Sequence, residues 1–256
     1  MLPIELMKKV WYNTRQQSIQ AALPISGAGE KKGRIHMIDI FDIIGPIMVG
    51  PSSSHTAGAV RIGRMARTLL GEEPVKAAMH LHGSFAETGV GHGTDMALVA
   101  GLLGMHSADY DIPRSFEVAQ ERGLKFSFDE VDLRDAHPNS VLMELEGVNG
   151  AKMSMQACSV GGGRIMVNEI DGVALNFTGN YNTLIIHSKD ERGYISNVTQ
   201  ALTMARVNIA NMSSNRNNRG SAIMVIETDE PVPEVILNLL GNLTDILHIT
   251  YYEKEV

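Results

Sequence analysis

The chain is 256 residues long, 44% hydrophobic and 20% charged, and carries a net charge of −7. That length suffices for one large core or two smaller ones, and the acidic balance argues against nucleic acid or an anionic membrane as partner. The longest apolar runs, such as residues 96–103, are too short to span a bilayer, and the single cysteine, Cys158, rules out an intrachain disulfide and an iron–sulfur cluster held by this chain alone.

Residues 1–36 differ from the rest of the chain. They hold the only tryptophan, Trp11, a polar stretch at 13–20 and the run Gly-Ala-Gly-Glu-Lys-Lys-Gly-Arg at 27–34, with no apolar core of a secretory signal. Gly-Glu-Lys-Lys-Gly-Arg can be encoded wholly by codons that begin with two purines, as a ribosome-binding site read in frame would be. Residues 1–36 are therefore read as a non-native extension, translated leader, with Met37 as the true start; a real disordered tail is the alternative. A regular fold is expected to open at Met37-Ile38-Asp39-Ile40-Phe41-Asp42.

A helix is expected from Thr56, because Ala59, Ile62, Met65, Ala66, Leu69 and Leu70 recur at helical spacing; Gly71 closes it and Pro74 follows. Val75, Ala77, Met79 and Leu81 alternate as in a strand. A second helix is predicted over 94–103, ending at Gly104, and a strand through Leu124, Phe126 and Phe128. Residues 141–145 and 153–160 read as a strand pair around the turn at 148–150. Residues 164–175 read as a hairpin turning at Asp171-Gly172, with Gly161-Gly162-Gly163 as the bend between. Helices early and antiparallel strands late make residues 37–178 an α+β domain. Residues 181–256 then read strand (183–187), turn (190–193), helix (Ile195, Val198, Leu202 and Ala205 as its face), strands (208–214, 221–227), helix (233–243) and strand (246–252). That order, βαββαβ, is ferredoxin-like.

Two short motifs carry the chemistry. Residues 50–56 read Gly-Pro-Ser-Ser-Ser-His-Thr, and residues 91–95 read Gly-His-Gly-Thr-Asp. Each sets a histidine among hydroxyls and glycines where a helix is expected to begin. Free N–H groups at a helix start, with serine and threonine hydroxyls, suit a carboxylate, and a histidine beside them moves a proton near neutral pH. His55 and His92 are the candidate catalytic residues. Ser52, Ser53, Ser54, Thr56, Thr94 and Asp95 are candidates to bind the substrate, with Asp95 also a candidate to fix a histidine tautomer or cap the helix. A small, polar, anionic substrate such as an amino acid fits both turns. A capping role alone would not need three serines in a row, and Gly91-x-Gly93 lacks the lysine of a phosphate loop.

Other residues receive plainer readings. His80 and His82 are structural. Arg61, Arg64 and Arg67 line a solvated helix face, with docking of a partner chain as the alternative. Cys158 is a buried small hydrophobe. Met65, Met79, Met96, Met153 and Met155 belong to the core.

The C-terminal βαββαβ order, with Asp190-x-x-Gly193 between strand and helix and Asn197 one turn on, resembles an ACT domain. The residue run 50–56, followed by His82-Gly83-Ser84-Phe85-Ala86-Glu87-Thr88-Gly89-x-Gly91-His92-Gly93-Thr94-Asp95, resembles the β domain of the iron–sulfur L-serine dehydratases. The resemblance covers residues 37–256 and implies the separate β subunit of the two-chain enzymes. It implies conversion of L-serine to pyruvate and ammonia together with an α subunit. That subunit carries a [4Fe-4S] cluster on three cysteines, and the open iron takes the substrate hydroxyl as Lewis acid. This chain alone is then expected to be inactive and to hold no metal. His55 and His92 match the β-domain histidines that reach the active site. Asp190, Gly193 and Asn197 sit where ACT modules grip an amino acid, with L-serine the leading effector, and ACT-mediated homodimerisation and a cytoplasmic location are implied. The alternative is a stand-alone amino-acid sensor without a catalytic role.

Overall fold

The described residues of the computed structural model are 48–216 and 220–254; the readings of residues 1–36 and of a fold opening at Met37 lie outside them. The apolar side chains spaced three and four apart wind residues Ala59–Leu70 into helix α1, which buries Val60, Ile62, Met65, Ala66, Leu69 and Leu70. Gly71 ends it in the left-handed conformation at φ 75°, its N–H reaching the carbonyls of Arg67 and Thr68. Upstream, Ser53–Gly58 forms a wider π-type turn that feeds into α1. Strand β1 (Pro74–His82) follows, then α2 (Ser84–His92), α3 (Thr94–Leu102), α4 (Ser115–Glu121) and β2 (Lys125–Glu130). Helices α2 and α4 have no counterpart among the elements expected from sequence.

Strands β3 (Ser140–Gly147), β4 (Lys152–Gly161), β5 (Arg164–Ile170) and β6 (Val173–Phe177) complete a six-stranded sheet in the order β2-β1-β3-β4-β5-β6. The hairpins fall where turn residues predict them. Asp171 (φ 50°) and Gly172 (φ 76°) turn β5 into β6, with both residues in the left-handed region that such a two-residue turn demands. One pairing departs from the expected antiparallel sheet: β1 and β2 run parallel. Three helices lie between them in the chain, and a crossover of that length returns the strand in the same direction.

The remaining elements are β7 (Asn182–Lys189), α5 (Tyr194–Met204), β8 (Ile209–Arg216), β9 (Ser221–Thr228), α6 (Glu234–Gly241) and β10 (Ile246–Tyr252). They form a four-stranded antiparallel sheet in the order β10-β7-β9-β8, the ferredoxin-like arrangement. The buried seam of α5 is Tyr194, Val198, Ala201 and Leu202, and Ile195 is instead exposed. The helix starts one residue after Gly193, so Tyr194 takes the inward position of the first turn, with Val198 four residues on.

All described residues belong to one unit. Strands β7 and β9 show why: their apolar runs are buried on both faces. Leu184, Ile186, Met224 and Ile226 pack under α5 and α6. The intervening Ile185, Ile223 and Val225, with Tyr252, join the core built by α1 and the first sheet.

The arginines of α1 do more than face solvent. Arg61 donates to the Gly163 carbonyl at 3.0 Å, and Arg67 donates to the Leu102 carbonyl at 2.9 Å while paired with Glu73. Met65, Met79, Met153 and Met155 are buried as expected, whereas Met96 is only partly so. Cys158 is buried, and burial pushes its thiol pKa up. His80 pairs with Asp129, and His82 Nδ1 accepts from the Leu133 N–H at 3.2 Å, so both histidines tie β1 to the chain around β2.

Candidate active site

Ser52 is the N-cap of the π-type turn. Its hydroxyl accepts from the His55 N–H at 3.1 Å, and its carbonyl accepts from the Thr56 N–H at 2.9 Å. A π-type turn widens the helix by one residue, a distortion frequent at functional sites. Two glycines make room for it. A methyl group at Gly50 would overlap the Thr56 side chain, and one at Gly58 would overlap Ser159 on β4.

His55 sits in this turn, half-buried, at the centre of a hydroxyl network. Its Nε2 lies 3.0 Å from Thr88 Oγ1 and 3.2 Å from Ser84 Oγ, both on α2. The Thr88 hydroxyl spends its one proton on the Ser84 carbonyl at 2.7 Å, so it accepts from His55. Nε2 therefore carries the hydrogen, and Nδ1, 3.4 Å from Ser52 Oγ, keeps the lone pair. Burial pushes the His55 pKa below its usual 6.5; the nearby Ser84 carbonyl opposes this and His92 adds to it. The Phe85 ring packs edge-on at 5.3 Å.

His92 is exposed, its ring centroid 5.0 Å from that of His55. The structure thus brings together the two histidines that the sequence separates, but the local setting of His92 differs from expectation. It ends α2 rather than starting a helix, and Gly93, at φ 69° and ψ 28°, is the left-handed joint from which α3 departs. The last turn of α2 presents carbonyl oxygens rather than free N–H groups, so His92 does not stand at an anion-binding helix start.

The other predicted residues fall into two groups. Ser52, Ser53 and Ser54 are half-buried around His55. Thr56 and Thr94 are buried, and their hydroxyls, like that of Ser159, find no hydrogen-bond partner among the described residues. Asp95 accepts from the Met96 N–H at 2.8 Å, and burial raises its pKa against that bond. That bond lies within the first turn of α3, whose N-cap is Gly93 with no side-chain cap, and among the described residues no hydrogen bond joins Asp95 to either histidine. Sequence reasoning missed Ser84 and Thr88. Their spacing of four residues would have put them on one helical face, had residues 84–92 been read as a helix. Replacing Thr88 by valine keeps the shape but removes the acceptor for Nε2–H. Any turnover that relies on this imidazole is expected to fall about tenfold, or ~1.4 kcal/mol in barrier, with substrate affinity unchanged. Steady-state kinetics of Thr88→Val and Thr88→Ser, the latter restoring activity, check this.

A second cluster lies at the start of α5. Asp190 pairs with Arg216 at 3.1 Å and donates its N–H to the Gly220 carbonyl at 3.0 Å. Gly193, at φ 92°, is the left-handed N-cap of α5, and Asn197 is exposed one turn on. Arg216 was not foreseen. Among the described residues no group of three or more His, Cys, Asp or Glu side chains is placed to hold a metal, and no helix is long and apolar enough to cross a membrane.

Comparison with known proteins matches residues 37–122 to the serine dehydratase beta chain family and residues 182–245 to the ACT domain. The chain is 39% identical over 212 residues to a probable L-serine dehydratase, beta chain, of Bacillus subtilis, covering 82% of this chain and 96% of that one. The chain belongs to the serine dehydratase β-chain family. A second β chain, the L-serine dehydratase, beta chain, of Peptoniphilus asaccharolyticus, is 40% identical over 83% of this chain and 97% of its own length. L-serine dehydratase 1 of Escherichia coli is 32% identical over 52% of this chain but only 34% of its own. The family's β-chain segment, followed by an ACT domain, is thus the layout that the α+β fold and the ferredoxin-like sheet express. Both the Ser52–Thr56 turn and the whole of α2, with Ser84, Thr88 and His92, lie inside the β-chain match.

Proposed function

We propose that this chain is the β subunit of an L-serine ammonia-lyase. It deaminates L-serine to pyruvate and ammonia in the cytoplasm, together with an α subunit that carries a [4Fe-4S] cluster. The observation that carries the reading is the near-complete coverage of two β chains of L-serine dehydratases, joined to a surface-facing histidine pair 5.0 Å apart. The same observations weigh against a stand-alone sensor, which has no use for a tautomer-fixed histidine outside its effector turn. The cluster does not fit this chain: its one cysteine is buried in β4 with a raised thiol pKa.

What the chain's own residues supply is proton handling and anion binding. His55 Nδ1, unprotonated at neutral pH, takes a proton at or beside the substrate, while Thr88 and Ser84 hold the ring. His92, exposed at the end of α2 beside His55, is the group that meets the substrate carboxylate. Ser52, Ser53 and Ser54 line the approach, with Thr56, Thr94 and Asp95 supporting the turns that carry the histidines. L-serine loses water to give aminoacrylate, whose imine tautomer takes water back to yield pyruvate and ammonia. Residues 37–178 form the β-type domain and 181–256 the ACT domain. The ACT domain pairs two copies of the chain and binds an amino-acid effector, L-serine first, at Asp190, Gly193 and Asn197.

The test is reconstitution. The chain is purified alone and mixed anaerobically with its iron–sulfur partner, and pyruvate formed from L-serine is measured. Activity only in the mixture is expected. A partner shown to hold its cluster that neither associates with this chain nor gains activity from it would overturn the reading.

A further inference from the structure

A cavity of about 280 Å³ lies between the C-terminal end of α1, the β4–β6 hairpins and the ferredoxin-like sheet. Its floor is apolar, made by Leu69, Leu70, Met153, Ile170 and Ile185. Its rim is polar, made by Lys152, Asp171, His187 and His248. The strand alternation explains the placement. His187 shares the β7 face of Ile185, and His248 and Thr250 share the β10 face of Tyr252; Ile185 and Tyr252 point into the core that contains α1. This is the face of the sheet opposite α5 and α6, so the cavity is separate from the Asp190 turn.

The two fixed charges of the rim are not paired with each other. Neither Lys152 nor Asp171 forms an ion pair among the described residues. One Asp171 oxygen accepts from the Ser154 N–H at 2.8 Å, which fixes the carboxylate. The His187 and His248 rings stand 6.1 Å apart, and Thr250 Oγ1 lies 3.1 Å from His248 Nε2. Burial lowers the pKa of His187, with Asp171 opposing and His248 adding, so this imidazole enters neutral. The fixed charges of Lys152 and Asp171 then cancel, a pattern complementary to a zwitterion and not to a net anion. The volume sits just below the ~300 Å³ lower bound of sites for drug-sized ligands, which points to a small metabolite.

We propose that this cavity is a second small-molecule site, taking a zwitterionic α-amino acid with its ammonium on Asp171, its carboxylate on Lys152 and the imidazoles, and an aliphatic side chain on the floor. Leu69 and Leu70 are the last residues of α1, whose other end carries the His55 turn. One rigid helix therefore joins the bound amino acid to the candidate active site.

Calorimetric titration of the full chain with L-valine, L-serine and pyruvate at millimolar concentration tests this. Saturable binding of at least one amino acid is expected, with none for pyruvate. Asp171→Asn is a clean variant. Asparagine tolerates the φ of 50° at this turn and keeps an oxygen for the Ser154 N–H, so only the charge is lost. It and Lys152→Met are each expected to weaken binding about tenfold or more, with unchanged circular dichroism, while Asp190→Asn leaves the affinity within about twofold. No binding by either amino acid, equal binding by pyruvate, or an affinity that survives both Asp171→Asn and Lys152→Met and falls only with Asp190→Asn would each overturn the proposal.

Discussion

Pyruvate formation by the assembled enzyme is expected to fall by about 10²- to 10⁴-fold when His55 is replaced by alanine, the span of a lost general acid–base group. The reasoning rests on protonation state and geometry together. Nε2–H is committed to Thr88 and Ser84, which leaves Nδ1 as the basic atom. The pKa of the ring is pushed down, first by burial and further by His92, so the neutral form predominates at pH 7. A reaction that needs neutral His55 runs at full rate above this pKa and is lost as pH falls through it. The acid limb of kcat/KM is therefore expected below the ordinary histidine value of 6.5. His92→Ala removes a repelling neighbour and so moves the limb upward, toward 6.5, besides lowering turnover. Subunit association should be untouched in both variants, because neither ring is part of the apolar core. Wild-type turnover in both would remove the histidines from the chemistry.

The largest effect on stability is expected at Gly101. Helices α1 and α3 cross at Gly63 and Gly101 so closely that each backbone occupies the space a side chain would need. A methyl at Gly101 would overlap the Val60 carbonyl and stand 2.8 Å from the Arg64 nitrogen; one at Gly63 would overlap the Leu98 carbonyl and stand 2.9 Å from the Gly101 Cα. Because the obstacles are backbone atoms, they yield only if the helices separate. Gly101→Ala is expected to destabilise the chain by about 3 kcal/mol, the upper end for overpacking, read as a lower denaturant midpoint at constant slope. Gly91→Ala, at a position with open space around it, is the control and should stay within about 0.5 kcal/mol. A wild-type midpoint for Gly101→Ala would mean that the crossing is not tight. Separation of the helices also reaches the site, since α1 carries the His55 turn and α3 begins at the joint after His92.

Much of this was legible in the chain. The periodicity of Ala59 to Leu70, the Gly71 stop and the Asp171-Gly172 turn mark elements whose local chemistry agrees with the final packing, so the strands and most helices could be read directly. Helix α2 could not. Residues 84–92 include Gly89 and Gly91, poor helix formers, and their helix is held by Phe85, wholly buried, and by Gly83, whose φ of 55° lets the Pro138 carbonyl approach. Without α2 the sequence shows His92 beside Gly93 but not its place at a helix end, nor Ser84 and Thr88 aimed at His55. The parallel pairing of β1 with β2 and the double-sided burial of β7 and β9 escaped for the same reason: strand direction and shared cores are settled between elements far apart in sequence.

By itself the sequence determined the candidate residue types, the turn that carries His55, the order of the strands and most helices, and the absence of enough cysteines to hold a cluster. These are local properties, written in spacing, in glycine placement and in composition. Only the tertiary structure decided that His55 and His92 meet at 5.0 Å, which hydroxyls fix the tautomer of one of them, and that a charged-rim cavity opens behind the ferredoxin-like sheet. Those depend on how closely α1 and α3 cross and on which face of β7 turns toward α1, and both follow from long-range packing that no window of sequence contains.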